Sequence, residues 1–130
     1  MNIPKRIQRK RTKGYKNPPN TCYCGRGSKW GNPFVVGRPL YSWGKAILTV
    51  AICKHPNAYI EIFNSNLFDG IVTLEKSLEY YELWIDWQIK NNSLDITDLL
   101  KYDYLSCWCP LSQRCHLDIL ISKLIKLTNK

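Results

Sequence analysis

The chain has 130 residues, 45% hydrophobic and 22% charged, a globular balance that excludes a disordered chain and leaves no room for two sizeable domains. No apolar run reaches the roughly 18 residues that cross a bilayer, and the first twenty residues lack the apolar stretch of a secretory signal, so an intracellular protein is expected whose six cysteines serve as thiols, metal ligands or small core residues. The net charge of +9 is uneven: residues 1–60 hold 12 basic side chains and no acidic one, residues 61–130 hold 7 basic and 10 acidic.

In chain order, residues 1–20 read as a basic arm. Lys5, Arg6, Arg9, Lys10, Arg11, Lys13 and Lys16 precede Pro18-Pro19, the electrostatic footprint of phosphate contact; a solvated arm or a targeting signal is the blander alternative. Thr21–Cys24 predicts a short strand, with Cys22 and Cys24 on one face. A loop from Gly25 to Pro39 follows. Ile47–Cys53 and Ala58–Phe63 predict two further strands, and 64–70 a turn. Residues 73–90 give the clearest helix: Leu74, Leu78, Tyr81, Ile85 and Ile89 share a face and Thr73 is its N-cap. A short helix at 95–101, a buried strand from Tyr104 to Cys109 and a C-terminal helix over 115–128 complete the pattern. That last helix carries Leu117, Leu120, Ile121, Leu124 and Leu127 on one face. The fold class expected is α/β: a compact single domain over 1–130 with a small mixed sheet flanked by two main helices.

Two segments concentrate chemistry. In Cys107-Trp108-Cys109-Pro110-Leu111-Ser112-Gln113-Arg114-Cys115-His116, alternation sets Cys107 and Cys109 on one strand face and Trp108 on the other, and a loop returns Cys115 and His116 to a helix start. Three readings stay open: buried core thiols; a zinc site of Cys107, Cys109, Cys115 and His116, although neighbouring residues rarely reach one tetrahedral ion together; or a reactive Cys115 whose thiolate is favoured by the helix N-terminus and Arg114, with His116 as base. In Ser28-Lys29-Trp30-Gly31-Asn32, polar groups and glycines can cradle phosphate, and Trp30 can stack on a base. The same residues can instead anchor a tight turn.

Three blocks together resemble domain-of-unknown-function family 4326, found in small phage, bacterial and giant-virus proteins: Arg6–Tyr15 with Pro18 and Pro19, Gly25–Phe34, and Cys107–Pro110 with Cys115, His116 and Asp118. The resemblance leaves about 40–70 as an insertion, and implies that the basic start belongs to the folded domain. It also implies that the Lys29–Phe34 and Cys107–Asp118 blocks converge. Cys22 and Cys24 stand where similar proteins carry aliphatic residues, which points to core positions. The function expected is nucleic-acid or nucleotide binding in a viral protein, within host cytoplasm or nucleus. Phosphates would meet Arg6, Gln8, Arg9, Lys10, Arg11, Lys13, Arg26, Ser28, Lys29 and Asn32, and bases Trp30. The alternatives are an enzyme acting on a nucleotide or nucleobase through Cys115 and His116, and an adaptor binding a viral or host protein. No membrane contact is expected.

Overall fold

The computed structural model describes residues 3–53, 58–64 and 68–129, without the side chains of Tyr59 and Ile60. The chain divides into two compact units, Met1–Gly31 with Asp95–Lys130, and Asn32–Leu94. The architecture is α/β.

The first unit contains a three-stranded sheet of β1 (Lys5–Gln8), β2 (Thr21–Tyr23) and β3 (Tyr104–Cys107) in the order β1-β3-β2. Both pairings are parallel: Arg6 and Cys22 lie opposite Leu105, and Ile7 and Tyr23 opposite Ser106. Two features correct the expectation. The sheet is parallel throughout, because segment 9–20 returns the chain to the start of the sheet before β2 begins; parallel neighbours need such a crossover. The basic arm also supplies a strand, β1. It has only Ile7 as an apolar residue, so its order comes from pairing with β3 and not from a hydrophobic pattern of its own.

Asp95 caps a 3₁₀ turn, Ile96–Lys101, by accepting from the Thr97 amide at 3.0 Å. The C-terminal helix (His116–Thr128) packs on β1 and β3 and on that turn. It buries Leu117, Leu120 and Leu124 completely, each contributing about 1.5–3 kcal/mol. The expected strand 104–109 is shorter than read, since Trp108 and Cys109 lie beyond its end in a bend.

In the second unit the chain forms α1 (Ser42–Ile52), α2 (Tyr59–Asn64) and α3 (Leu74–Lys90); the C-terminal helix is α4. The strands expected at 47–53 and 58–63 are therefore helical. A short, largely apolar run such as Ile47–Ile52, broken only by Thr49, has no clear period to separate strand from helix, and packing of α1 against both α2 and α3 decides it. Of the expected turn at 64–70, residues 65–67 lie outside the described residues. The helix expected at 73–90 is α3, with Thr73 Oγ1 accepting from the Lys76 amide at 3.2 Å and Leu78, Tyr81 and Ile85 buried. Its helical partner is α1. Phe34 packs edge-on against Tyr80 and Trp84 with centroids 5.8 and 6.3 Å apart.

The loop before this unit is built as a turn, not a cradle. Ser28 donates both its amide and its hydroxyl to the Gly25 carbonyl, at 3.1 and 2.7 Å, and the Gly31 amide donates to the Ser28 carbonyl at 3.1 Å. A side chain at Gly31 would run into the Gly25 carbonyl, so the close approach requires glycine there. Trp30 is 3% exposed and plugs the fold in place of offering an open stacking face. Trp30→Ala is accordingly expected to cost about 3–5 kcal/mol, visible as a lower midpoint in urea unfolding. An unchanged midpoint contradicts the plug.

Candidate functional site

Parallel sheets gather ligands outside the carboxyl ends of their strands. Here that edge is formed by Gln8-Arg9, Tyr23-Cys24 and Cys107-Trp108, with the start of α4 beside it.

Its geometry is set by Arg6. One guanidinium nitrogen donates to both carboxylate oxygens of Asp118, at 3.2 and 3.0 Å, and another to the carbonyls of Pro110 and Gln113, both at 2.7 Å. Asp118 Oδ2 also accepts from the Cys115 amide at 3.1 Å, which caps the helix start. The Arg6 side chain is only 11% exposed. It is a clamp inside the fold, which corrects its expected role as a phosphate contact; the residue types alone could not separate the two roles.

The clamped loop brings the thiols together. Cys107 and Cys115 are buried and Cys109 half-buried, and the three sulfurs lie within 4.8 Å of one another. This set is close enough to hold a metal ion. Cys107 Sγ and Cys115 Sγ are 3.2 Å apart, and His116 Nδ1 is 3.4 Å from Cys115 Sγ. His116 Nε2 lies 2.6 Å from the Cys24 carbonyl. Since a carbonyl only accepts, Nε2 carries the proton and Nδ1 is left unprotonated beside Cys115, whose one S–H is shared with Cys107. Burial pushes the imidazole pKa down, in keeping with that neutral form.

The charge is distributed differently from the sequence expectation. A hydrogen bond donated by Cys115 lowers the Cys107 thiol to about 6, helped by Arg6. Donation to Cys107, then burial, raises Cys115. Cys109 is raised by burial. Thiolate character at this edge thus sits on Cys107, and Cys115, 2% exposed, is within reach of His116 yet shut away from solvent.

Beside the thiols lies a surface of rings and guanidinium groups. Arg9 stands 5.3 Å from the ring centroids of both Tyr23 and Trp108, and Arg11 stands 4.9 Å from that of Trp108. Trp108 is 39% exposed. Lys10, Arg11, Lys13, Arg26 and Lys29 are exposed and Gln8 is half-buried. Ser28 is committed to the turn at Gly25. Asn32 belongs to the second unit, where its amide nitrogen donates to Ser77 Oγ at 2.9 Å and its oxygen accepts from the Phe34 amide at 2.9 Å. Alternation in the sequence marks Trp108 only as the residue opposite the cysteines. The signal that finds it is its place at a strand end, opposite the arginines of the neighbouring strand's continuation.

Fold and site together define a small parallel α/β protein with a thiol cluster and an arginine–tryptophan surface at one end of its sheet. The chain matches the family model of the domain of unknown function DUF4326 over residues 7–126 and belongs to that family. No curated protein and no solved structure matches it.

The thiol environments give an order of reactivity. Cys22, half-buried and lowered to about 7 chiefly by the Cys24 thiol, is expected to alkylate before Cys24 and Cys115, which are buried and raised. Timed labelling with iodoacetamide, mapped by peptide mass, reads the order; Cys115 labelling first reverses it.

Proposed function

We propose that the protein binds nucleic acid or a nucleotide through the face made by Arg9, Arg11, Tyr23 and Trp108. The observation that carries this reading is the pair of guanidinium groups held against a half-exposed indole at the carboxyl edge of a parallel sheet. Arginine supplies phosphate contact, and the ring supplies stacking worth about 1–3 kcal/mol per base. Exposed Lys10, Lys13, Arg26 and Lys29 extend the positive field, as expected of a ligand that brings phosphates. Replacing Arg9 and Arg11 with alanine is expected to weaken binding of a labelled oligonucleotide at least tenfold and to lower the salt slope by about 1.5–2. Trp108→Ala should weaken binding about tenfold with the slope retained. Binding that survives both changes intact would falsify the reading.

For the three thiols, the ion we propose is zinc. Zinc–sulfur bonds of about 2.3 Å put tetrahedral sulfurs roughly 3.8 Å apart, and sulfurs spanning 3.2 Å to less than 4.8 Å need only small shifts to meet that. His116 Nδ1 is the nitrogen nearest Cys115. Its other nitrogen is tied to a backbone carbonyl, the usual support of a zinc-bound imidazole. Elemental analysis of the purified protein should give about one zinc per chain, and a chelator should lower the Tm by at least about 5 °C. Metal-free protein with an unchanged Tm argues for plain buried thiols.

A further inference from the structure

Tyr23 has two surroundings. Its ring lies under Arg9, and the same residue lines a cleft of about 240 Å³ next to that face. Trp30 and Tyr102 also line the cleft, and each has an ammonium group over it: Lys29 Nζ is 5.4 Å from the Trp30 ring centroid and Lys101 Nζ 5.3 Å from that of Tyr102. The volume lies below the roughly 300–1,000 Å³ of sites for whole small-molecule ligands. That leaves room for a single flat ring system and not for a complete nucleotide.

We propose that this cleft receives one unpaired nucleobase, so that the ligand is single-stranded nucleic acid running from the Arg11–Trp108–Arg9 face over Tyr23 and in between Lys29 and Lys101. This deepens the nucleic-acid reading above and rests on it. Trp108, Tyr23 and Tyr102, alternating with cations along one path, are what a single strand requires: stacking surfaces for its exposed bases and positive charge for its phosphates, with buried Trp30 only lining the cleft. A duplex cannot use them, because its bases are stacked on one another and leave only after flipping. Two ammonium groups flank the cleft against one carboxylate, Asp98. A carboxylate in that lining is an acceptor for an exocyclic base amine, which adenine, cytosine and guanine all carry. Cys22 also lines the cleft, and its ready ionisation makes it a built-in reporter of occupancy.

The test uses the full chain with a labelled mixed-sequence 12-nucleotide strand, as DNA and as RNA, and with the matching duplex. Fluorescence anisotropy is expected to show at least tenfold tighter binding of the single strand. The double variant Lys29→Ala/Lys101→Ala should lose at least tenfold of single-strand affinity while duplex binding changes less than threefold. The single strand, and not the duplex, should protect Cys22 from iodoacetamide, with Cys53 as the unprotected control. Duplex binding as tight as single-strand binding, or Cys22 alkylated equally fast in both complexes, overturns the proposal. Loss of binding in the Arg9/Arg11 variant with none in the Lys29/Lys101 variant removes the cleft and leaves the arginine–tryptophan face standing. Absence of binding to either form at low salt removes both. The variant's melting curve, expected unchanged because both lysines are exposed, shows that a loss of affinity is not a loss of fold.

Discussion

One guanidinium group, that of Arg6, ties the first strand to the loop and helix that follow the third. It meets a carboxylate on the first turn of α4 and two carbonyls of the loop leading there. The carboxylate in turn holds the amide of the helix-capping residue. Charge-assisted hydrogen bonds of this kind are about twice as strong as neutral ones, and the planar fork of arginine fixes direction as well as distance. Cys115 lies on the segment that fork grips, and Cys109 directly precedes its first contact at Pro110. A lysine at position 6 would keep the charge and lose the fork, so the loop would no longer be set by two carbonyls at once.

Two kinds of chemistry meet where the chain leaves β3 and bends through Trp108 and Cys109. Cys107 and Cys109 turn toward the start of α4, where Cys115 and His116 wait. Trp108, between them, turns toward Arg9 and Arg11. Three consecutive residues therefore serve a soft, proton-sharing interior and a charged aromatic exterior, and a distortion of the strand end would reach both.

Much of this was legible in the sequence wherever a period or a cap exists. α3 announces itself by Leu78, Tyr81 and Ile85 at helical spacing behind Thr73, and α4 by Leu117, Leu120 and Leu124. The clustering of Cys107, Cys109 and Cys115 also follows from a strand, a short loop and a helix start. What stayed hidden depends on partners far along the chain. β1 is a strand because β3 offers it hydrogen bonds, and nothing within Lys5–Gln8 signals it. The run Ile47–Ile52 is apolar but for Thr49 and has no clear period, so only packing could choose helix over strand. Arg6 and Trp30 carry the residue types of a nucleic-acid contact, and each is withdrawn into the fold by neighbours that local sequence does not reveal. The cleft needs Lys29 beside Lys101, a pairing between segments that are remote in sequence.

The pairing of Lys5 with Tyr104 has a consequence for how the protein comes into being. The central strand of the sheet is the last of the three to be made, and both of its neighbours wait for it. At about 5–20 residues per second, β1 and β2 leave the ribosome several seconds before β3 exists. In that interval the positively charged early segment has no sheet to join, and Arg6 has no Asp118. Closing so long a loop is slow and unrewarded until its contacts form, whereas Asn32–Leu94, contiguous in sequence, can complete its own helical contacts first. The nascent chain thus passes through a stage in which a helical unit is ready while a strongly basic strand remains unpaired beside an RNA-rich machine. Late synthesis of one four-residue strand is what ends that exposure.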